Sequence, residues 1–446
     1  MDLIFLILWL TFPYIWFNML KFSSIQLFEV SIPSILIWFI FAFSYFGFPF
    51  LWFGLDSYRN FDVQDKDIIL NMFLHTVFSV SFLIIGFFIG KVLLGSLLIR
   101  ETYQSKLSYH KSEHRITYLF YFLLFLICCF VLMSYINDVG FENLAFLVAI
   151  GYLSEGNITE LRSSSTNAFN NYHWYKLFMI ELMLAVTLFF FSLSLCQKNY
   201  FRNIVMAFSI LVCSFALLMS GEKGQIIEII LGLFLVYCLT RKSGKFSIRN
   251  MIIFSFIGAL TVLPLYYFLM ESSNSLEALT GIFSRITTGQ LQPMYVYFEY
   301  IPNYRDFLMG KTFPNPGLIF PYEPVTITQE AMAWFNSYEA SLGIVGSLPA
   351  MFWVEAYVNF GSFSILIVSF LLGFFLYSLN IFFTQFKPNP IVISLFVWLI
   401  LFYKDLAVSF FSDFFISIFL FCVVLITFFI YLFSNKGRIF FRDKKV

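Results

Sequence analysis

The stretch FFISIFLFCVVLITFFIYLF, residues 414–433, contains 20 residues and no charged side chain. Residues 32–53 and 68–90 are almost as apolar. About 20 consecutive apolar residues is the length that crosses the hydrocarbon core of a bilayer as an α-helix. The apolar residues do not alternate with polar ones at period two, so these stretches predict spanning helices rather than strands.

The composition excludes a soluble globular protein. Of the 446 residues, 60% are hydrophobic, 12% are charged and 65 are phenylalanines, whereas soluble domains carry about 25% charged residues. Backbone polar groups inside a bilayer must be satisfied within the chain, which leaves helices for segments of this length. The sequence therefore predicts an all-α polytopic membrane protein, with residues 1–446 forming a single membrane domain.

Roughly eleven apolar segments reach spanning length. They lie at 3–20, 32–55, 68–90, 117–137, 178–196, 203–220, 225–240, 251–270, 352–382, 391–403 and 414–434. The first is preceded by no basic residue and has no small-residue cleavage site, so we expect a retained span rather than a signal peptide.

Basic residues give the predicted helices an orientation. If alternate loops are grouped, one side of the membrane carries 18 of the 27 Lys and Arg with four acidic residues, a net charge of +14. The rest of the chain has a net charge of −13. Because cytoplasmic loops are enriched in Lys and Arg, this split predicts a periplasmic N-terminus and a cytoplasmic C-terminus.

Two predicted periplasmic loops stand out by length. The first covers residues 138–177, and the larger second loop covers 271–351 and holds seven of the 13 prolines. The second loop is too rich in aromatic residues for a disordered linker, and long ordered loops are usually functional.

The sequence lacks the motifs of several function classes. It contains no glycine-rich phosphate loop, no HExxH and no Cys–His cluster, and its six cysteines lie inside or at the edge of apolar segments. We therefore expect no metal, no cofactor, no disulfide framework and no nucleic-acid partner.

Isolated cations on the acidic side are candidate anchors for an anionic headgroup. Arg285 lies where the chain enters the second loop, and Lys223 lies in a tight Gly-Glu-Lys-Gly turn between two spans. Arginine recognises phosphate oxygens with two parallel hydrogen bonds. The alternative for each is a snorkelling side chain or an ion pair, such as Lys223 with Glu222.

Glu355 and His173 are the candidate general bases. Burial of Glu355 beside apolar residues would raise its pKa, although pairing with a nearby cation is an equal alternative. His173 has an interfacial aromatic belt as its alternative, and His75 is expected to be a satisfied interior histidine. Candidate glycan-binding rings, which are also explained by a membrane interface, are Tyr295, Tyr322, Trp334 and Tyr338.

Several short motifs follow one another in an order that is found in one family. They are YFGFP (45–49), LMSGEKGQI (218–226), GIFSRITTGQ (281–290), GKTFPNPG (310–317), GSLP (346–349) and EAYVNFG (355–361). With the predicted topology, the chain resembles the oligosaccharide repeat-unit polymerases of bacteria, the Wzy family of O-antigen and enterobacterial common antigen polymerases.

This resemblance implies a fold similar to GT-C-type glycosyltransferases and O-antigen ligase. It also implies a glycosyltransferase of the bacterial inner membrane, which extends glycans carried on undecaprenyl diphosphate during lipopolysaccharide biosynthesis. Arg285 and Lys223 match the family's diphosphate-binding positions, whereas Arg162 and Arg305 follow from loop position alone. A chain-length regulator and a flippase are the implied partners.

Three other functions stay open at this point. A lipid-linked oligosaccharide flippase would bury several cations in a central cavity and show two related halves, neither of which the sequence displays. An O-antigen ligase shares the expected fold and donor. A hydrophobic structural subunit is the least specific alternative.

Overall fold

In the computed structural model, residues 1–59, 63–95, 114–140, 172–197, 199–219, 223–269, 275–341, 346–386 and 388–434 are described. Regular structure within these ranges is helical. Ten of the described helices are long and apolar enough to cross a membrane. The predicted class, an all-α polytopic membrane protein, is confirmed at this level.

The helices are numbered in chain order. The first ten are α1 (Asp2–Phe22), α2 (Ile32–Phe39), α3 (Phe48–Trp52), α4 (Lys66–Leu94), α5 (His114–Val139), α6 (Tyr172–Lys176), α7 (Met183–Cys196), α8 (Tyr200–Met219), α9 (Lys223–Arg241) and α10 (Ile248–Leu269). The others are α11 (Ser275–Thr287), α12 (Leu291–Tyr300), α13 (Ile327–Phe335), α14 (Ser337–Ser341), α15 (Phe352–Phe360), α16 (Ser362–Thr384), α17 (Pro390–Lys404), α18 (Ser412–Phe415) and α19 (Ile418–Ser434). Six-residue π-helical segments, Ile40–Tyr45 and Leu177–Leu182, lie within the second and fifth spans.

The predicted spans lie on helices, and α10 (Ile248–Leu269) corresponds to the predicted span 251–270. The predicted span 352–382 is two helices, α15 and α16. Gly361 divides them with a φ of 77°, a left-handed conformation that ends α15 and that a side chain would strain.

The predicted second loop, 271–351, contains helical structure. Within its described part the chain forms four α-helices, α11 to α14, and a short 3-10 helix, Pro316–Leu318. Helix α12 is mostly buried, which is possible because its aromatic residues supply an apolar surface. Of the first predicted loop, 138–177, residues 141–171 lie outside the described residues.

The chain divides into two compact units. The first comprises Met1–Leu98, Gly281–Phe382 and Phe402–Ser417, and the second comprises Ile99–Thr280, Phe383–Leu401 and Ile418–Val446. Within the second unit, the rings of Tyr121 and Phe189 stack at a centroid distance of 3.7 Å. The Trp398 indole there donates a hydrogen bond of 3.1 Å to Glu181.

Helices α4 and α16 of the first unit approach each other through small residues. A methyl group at Gly86 would lie 2.3 Å from the carbonyl oxygen of Phe370, and one at Gly373 would lie 2.1 Å from that of Leu83. The hydroxyls of Ser79 and Ser369 are 2.9 Å apart across the same contact. Small residues allow spanning helices to pack backbone to backbone, which compensates for the weak hydrophobic drive inside lipid.

His75 lies on α4 close to this contact. Its Nδ1 is 2.7 Å from the carbonyl oxygen of Asn71, and its Nε2 is 2.9 Å from the hydroxyl of Ser362. Both ring nitrogens therefore have partners, as the sequence predicted for an interior histidine.

The close approach of α4 and α16 makes substitution of Gly86 costly. We expect Gly86→Ala to destabilise the protein by about 1–3 kcal/mol, because the helices must separate to admit the methyl group. Gly258→Ala on α10 is the matched control, since no heavy atom lies within 4 Å of a methyl group there. Thermal unfolding in detergent measures both, and equal transition temperatures for the two variants would contradict the packing described.

Candidate functional site

A carboxyl group is buried in the first unit. Glu355 lies on α15, whose residues Phe352 to Asn359 are all buried, and its side chain has 0% exposure. Because Gly361 ends α15, Glu355 lies outside the ten candidate spans. Burial of a carboxylate is unfavourable unless hydrogen-bond donors surround it.

Two segments distant in sequence supply those donors. The hydroxyl of Thr312 donates to Oε1 of Glu355 at 2.8 Å, and the backbone N–H of Ser412 donates to Oε2 at 2.9 Å. Each of the two carboxyl oxygens therefore accepts a hydrogen bond from a different segment of the chain.

Asn359, one helical turn after Glu355, orients this group. Its Nδ2 donates to the Thr312 hydroxyl at 2.7 Å, and its Oδ1 accepts from the N–H of Gly310 at 2.8 Å. A hydroxyl has one hydrogen. Since the Thr312 oxygen accepts from Asn359, that hydrogen is directed to Glu355.

The environment changes the acidity of this carboxyl. Burial raises the pKa of Glu355 from 4.5 to about 7, and the charge of Asp413 adds to the rise. Hydrogen bonds from Ser412 and Thr312 oppose it, because they favour the ionised form. Glu355 can therefore exchange a proton near neutral pH.

These contacts join two of the sequence motifs, 310–317 and 355–361. The N–H groups of Leu308 and Met309 donate to the carbonyl oxygens of Val358 and Asn359, both at 3.0 Å. Gly310 then turns the chain with a φ of 89°. The segment 308–314 thus lies along α15.

An apolar cavity of about 700 Å³ adjoins this segment. Its lining consists of residues of 309–314, residues of 411–416, one side of the candidate spanning helix α16, and Phe320, Tyr322 and Phe360. The α16 residues are Val368, Leu371, Leu372 and Phe375. Ser412, a partner of Glu355, lines this cavity, and so do Gly310 and Phe313 on either side of Thr312.

A polar cavity of about 660 Å³ also adjoins segment 308–314. It contains the cations Arg305 and Lys311 and the carboxylates Asp306 and Glu323. Nε of Arg305 is 3.4 Å from Glu330, which also accepts a hydrogen bond of 3.2 Å from the hydroxyl of Tyr300. The Arg305 side chain is 43% exposed in this ion pair.

Tyr322 lines both cavities, and its hydroxyl donates to the carbonyl oxygen of Phe313 at 3.2 Å. The two cavities are therefore neighbours, one apolar and one polar, with Tyr322 and segment 308–314 between them. A ligand that is apolar at one end and polar at the other matches this arrangement.

The other candidate rings have different surroundings. Trp334 contacts Tyr300 and Tyr304 at ring centroid distances of 5.2 and 5.0 Å, and Tyr304 lines the polar cavity. Tyr295 is buried, and its hydroxyl accepts from the N–H of Asp65 at 3.2 Å. Tyr338 is 76% exposed.

Arg285 is exposed on α11, in a second network of the first unit. The buried carboxylate of Asp56 accepts a hydrogen bond of 2.7 Å from Ser284 and another from Thr288. A methyl group at Gly47, in the motif 45–49, would lie 1.8 Å from the carbonyl oxygen of Thr287. These contacts fix α11, but Arg285 lines neither of the two cavities described above.

Three further candidates lie outside this part of the structure. His173 is exposed on α6 and belongs to the second unit. Arg162 lies outside the described residues, as does the side chain of Lys223, the first residue of α9. Over the described part of the chain, no group of three or more His, Cys, Asp or Glu could hold a metal ion.

In comparisons with protein families, with curated proteins and with solved structures, nothing matches this chain. A functional assignment therefore depends on the chemistry of the residues described above.

The raised pKa of Glu355 predicts a dependence of stability on pH. Between pH 4.5 and about 7 the folded protein keeps a proton that the unfolded chain releases, so the free energy of unfolding falls as pH rises through this window. Wild type should lose at most about 3 kcal/mol relative to Glu355→Gln, which has no proton to release.

Thermal unfolding in detergent at about pH 5 and pH 8 measures this difference. Glu323→Gln is the matched control, because Glu323 is exposed. Parallel pH profiles for wild type and Glu355→Gln would contradict the assignment of the proton to Glu355.

Proposed function

We propose that this protein is a membrane-embedded glycosyltransferase, which polymerises oligosaccharide repeat units carried on undecaprenyl diphosphate at the periplasmic face of a bacterial inner membrane. The observation that carries the proposal is the pair of neighbouring cavities, one apolar and one polar with two cations in its lining, that share Tyr322. A lipid-linked glycan is apolar at one end and has a diphosphate followed by sugars at the other.

The apolar cavity is suited to the lipid end of such a substrate. Four of its residues belong to α16, a helix long and apolar enough to cross the membrane. A polyprenyl chain bound in this cavity would be shielded from water, and exposure to water would be unfavourable for its apolar surface.

The polar cavity is suited to the diphosphate. Arg305 offers a planar donor fork and Lys311 a compact charge, and both can bind phosphate oxygens. These cations would also stabilise the charge that develops on the leaving group, which is the main electrostatic requirement of the reaction.

The proposed reaction is a displacement at the anomeric carbon of the donor. The oxygen of an acceptor sugar hydroxyl forms the new C–O bond, and the bond between the anomeric carbon and the diphosphate breaks. The electron pair leaves with undecaprenyl diphosphate, and the hydroxyl proton passes to a base. Asp306 and Glu323 are the carboxylates that line the polar cavity.

Arg285, which like the two cavities belongs to the first unit, is proposed as an additional cation for the second lipid-linked substrate, because a polymerase must hold two such substrates. Trp334 and Tyr338 of the same unit are proposed as outer sugar contacts. The exposure of Arg285 is compatible with this role.

The first test uses purified protein in liposomes, supplied with lipid-linked repeat units extracted from the source organism. We expect a ladder of products on a gel from wild type. Arg305→Ala with Lys311→Ala should reduce the rate about 100-fold, since each cation stabilises the leaving diphosphate. Lys242→Ala, at an exposed cation of the second unit, is the matched control.

Each other function gives a distinct result in this assay. Translocation of the lipid-linked unit without a ladder would assign a flippase, and a single transfer to a lipid A-core acceptor would assign a ligase. A wild-type rate in the double variant would overturn the role of the polar cavity.

The second test concerns Arg285. Arg285→Ala should leave the protein in the membrane but reduce the glycans to a single repeat unit, whereas Arg285→Lys should retain part of the activity because it keeps the charge. Glycan length is measured on gels of whole-cell polysaccharide. Wild-type chain lengths in Arg285→Ala would remove Arg285 from the site.

A further inference from the structure

Glu355 is hydrogen-bonded to two segments whose residues line the apolar cavity. Its side chain has no exposed surface, and among the described residues it lines neither cavity. A base must reach the proton that it removes, directly or through one water. The geometry of Glu355 therefore points to a role other than contact with a substrate.

The two partners of Glu355 belong to different segments beside the apolar cavity. Thr312 lies within segment 309–314, and Ser412 lies within segment 411–416. The first segment follows α12, and the second precedes α19, so that more than 90 residues separate them in sequence. One carboxyl group therefore holds both segments in place.

We infer that Glu355 is a positioning residue, whose ionised carboxylate ties segments 309–314 and 411–416 together and so sets the shape of the cavity for a lipid chain. The tie stands on the geometry alone, whereas the identity of the lipid rests on the proposed function. The role differs from that of a base, because the carboxyl acts through Thr312 and Ser412.

Protonation of Glu355 would weaken this tie. A carboxylate accepts hydrogen bonds through both oxygens, whereas a neutral carboxyl group has one hydroxyl oxygen, which is a poor acceptor. One of the two segments, 309–314 or 411–416, then loses a strong hydrogen-bond acceptor. The titratable groups near Glu355 on neighbouring elements are Tyr297 of α12 and Asp413 of α18, and Lys311 of segment 308–314 lines the polar cavity.

The test measures binding of undecaprenyl diphosphate and of inorganic diphosphate to purified protein between about pH 5.5 and 8.5. For wild type, the affinity for undecaprenyl diphosphate should fall about fivefold as Glu355 is protonated, which corresponds to one lost hydrogen bond. Inorganic diphosphate should not show this loss, since it has no lipid chain. Glu355→Gln should bind the lipid weakly at every pH.

Thr312 supplies a second set of variants that leaves the carboxyl in place. Thr312→Val removes the donated hydrogen and should weaken lipid binding to the same extent, whereas Thr312→Ser keeps the hydroxyl and should restore it. If Glu355→Gln does not fold, the two Thr312 variants test the positioning role of Glu355 in its place. Equal lipid binding by Thr312→Val and Thr312→Ser would overturn the inference.

Amide hydrogen exchange tests the tie between the two segments independently of the proposed function. Glutamine keeps one carbonyl oxygen as an acceptor, so in Glu355→Gln at about pH 8 the peptides of one of the two segments, 308–314 or 408–416, should exchange faster than in wild type. This measurement needs no ligand, so it decides the tie even if no ladder forms. Unchanged exchange in both segments would overturn the tie.

Turnover distinguishes positioning from base catalysis. If the protein polymerises lipid-linked units, Glu355→Gln should raise KM and leave kcat nearly unchanged, because a loosened cavity affects binding. A large loss of kcat with unchanged KM and unchanged lipid affinity would assign Glu355 as the base instead.

Discussion

The hydrogen bonds of one buried carboxyl group connect the parts of the candidate site. Glu355 bonds to Thr312 and to Ser412, and Asn359 fixes the direction of the Thr312 hydroxyl. The lining of the apolar cavity and the segment that separates it from the polar cavity both depend on these bonds. Because each donor comes from a different segment, the site forms only after those segments have packed on α15.

The helical class was predictable from the sequence, since apolar runs of spanning length leave the backbone no other arrangement in lipid. The division of 352–382 was not. Most residues on both sides of Gly361 are apolar, so composition shows one span, whereas a left-handed φ at one glycine makes two helices. That turn separates Glu355 from the spanning helix α16.

Individual site residues were partly predictable as well. Glu355 was singled out because a carboxyl beside apolar residues is unusual, and the motif 310–317 drew attention to the segment that contains Thr312. Their hydrogen bond was not predictable, because 43 residues separate them in sequence. The structural role of Asp56 was not predictable, since an aspartate in a short polar segment is usually solvated. In the structure its carboxylate accepts hydrogen bonds from Ser284 and Thr288 of the α11 region.

Ionisation of Glu355 has opposite effects on the stability of the fold and on the order of the two cavity-lining segments. Burial disfavours its charge, so the ionised form destabilises the fold, yet only that form can accept strongly from both cavity-lining segments. A glutamine would remove the charge but would turn an NH₂ group toward one of the two donors. A leucine would leave Thr312 and the N–H of Ser412 without their acceptor. The geometry therefore requires a carboxylate at a position where burial opposes one, which is typical of functional rather than merely structural groups.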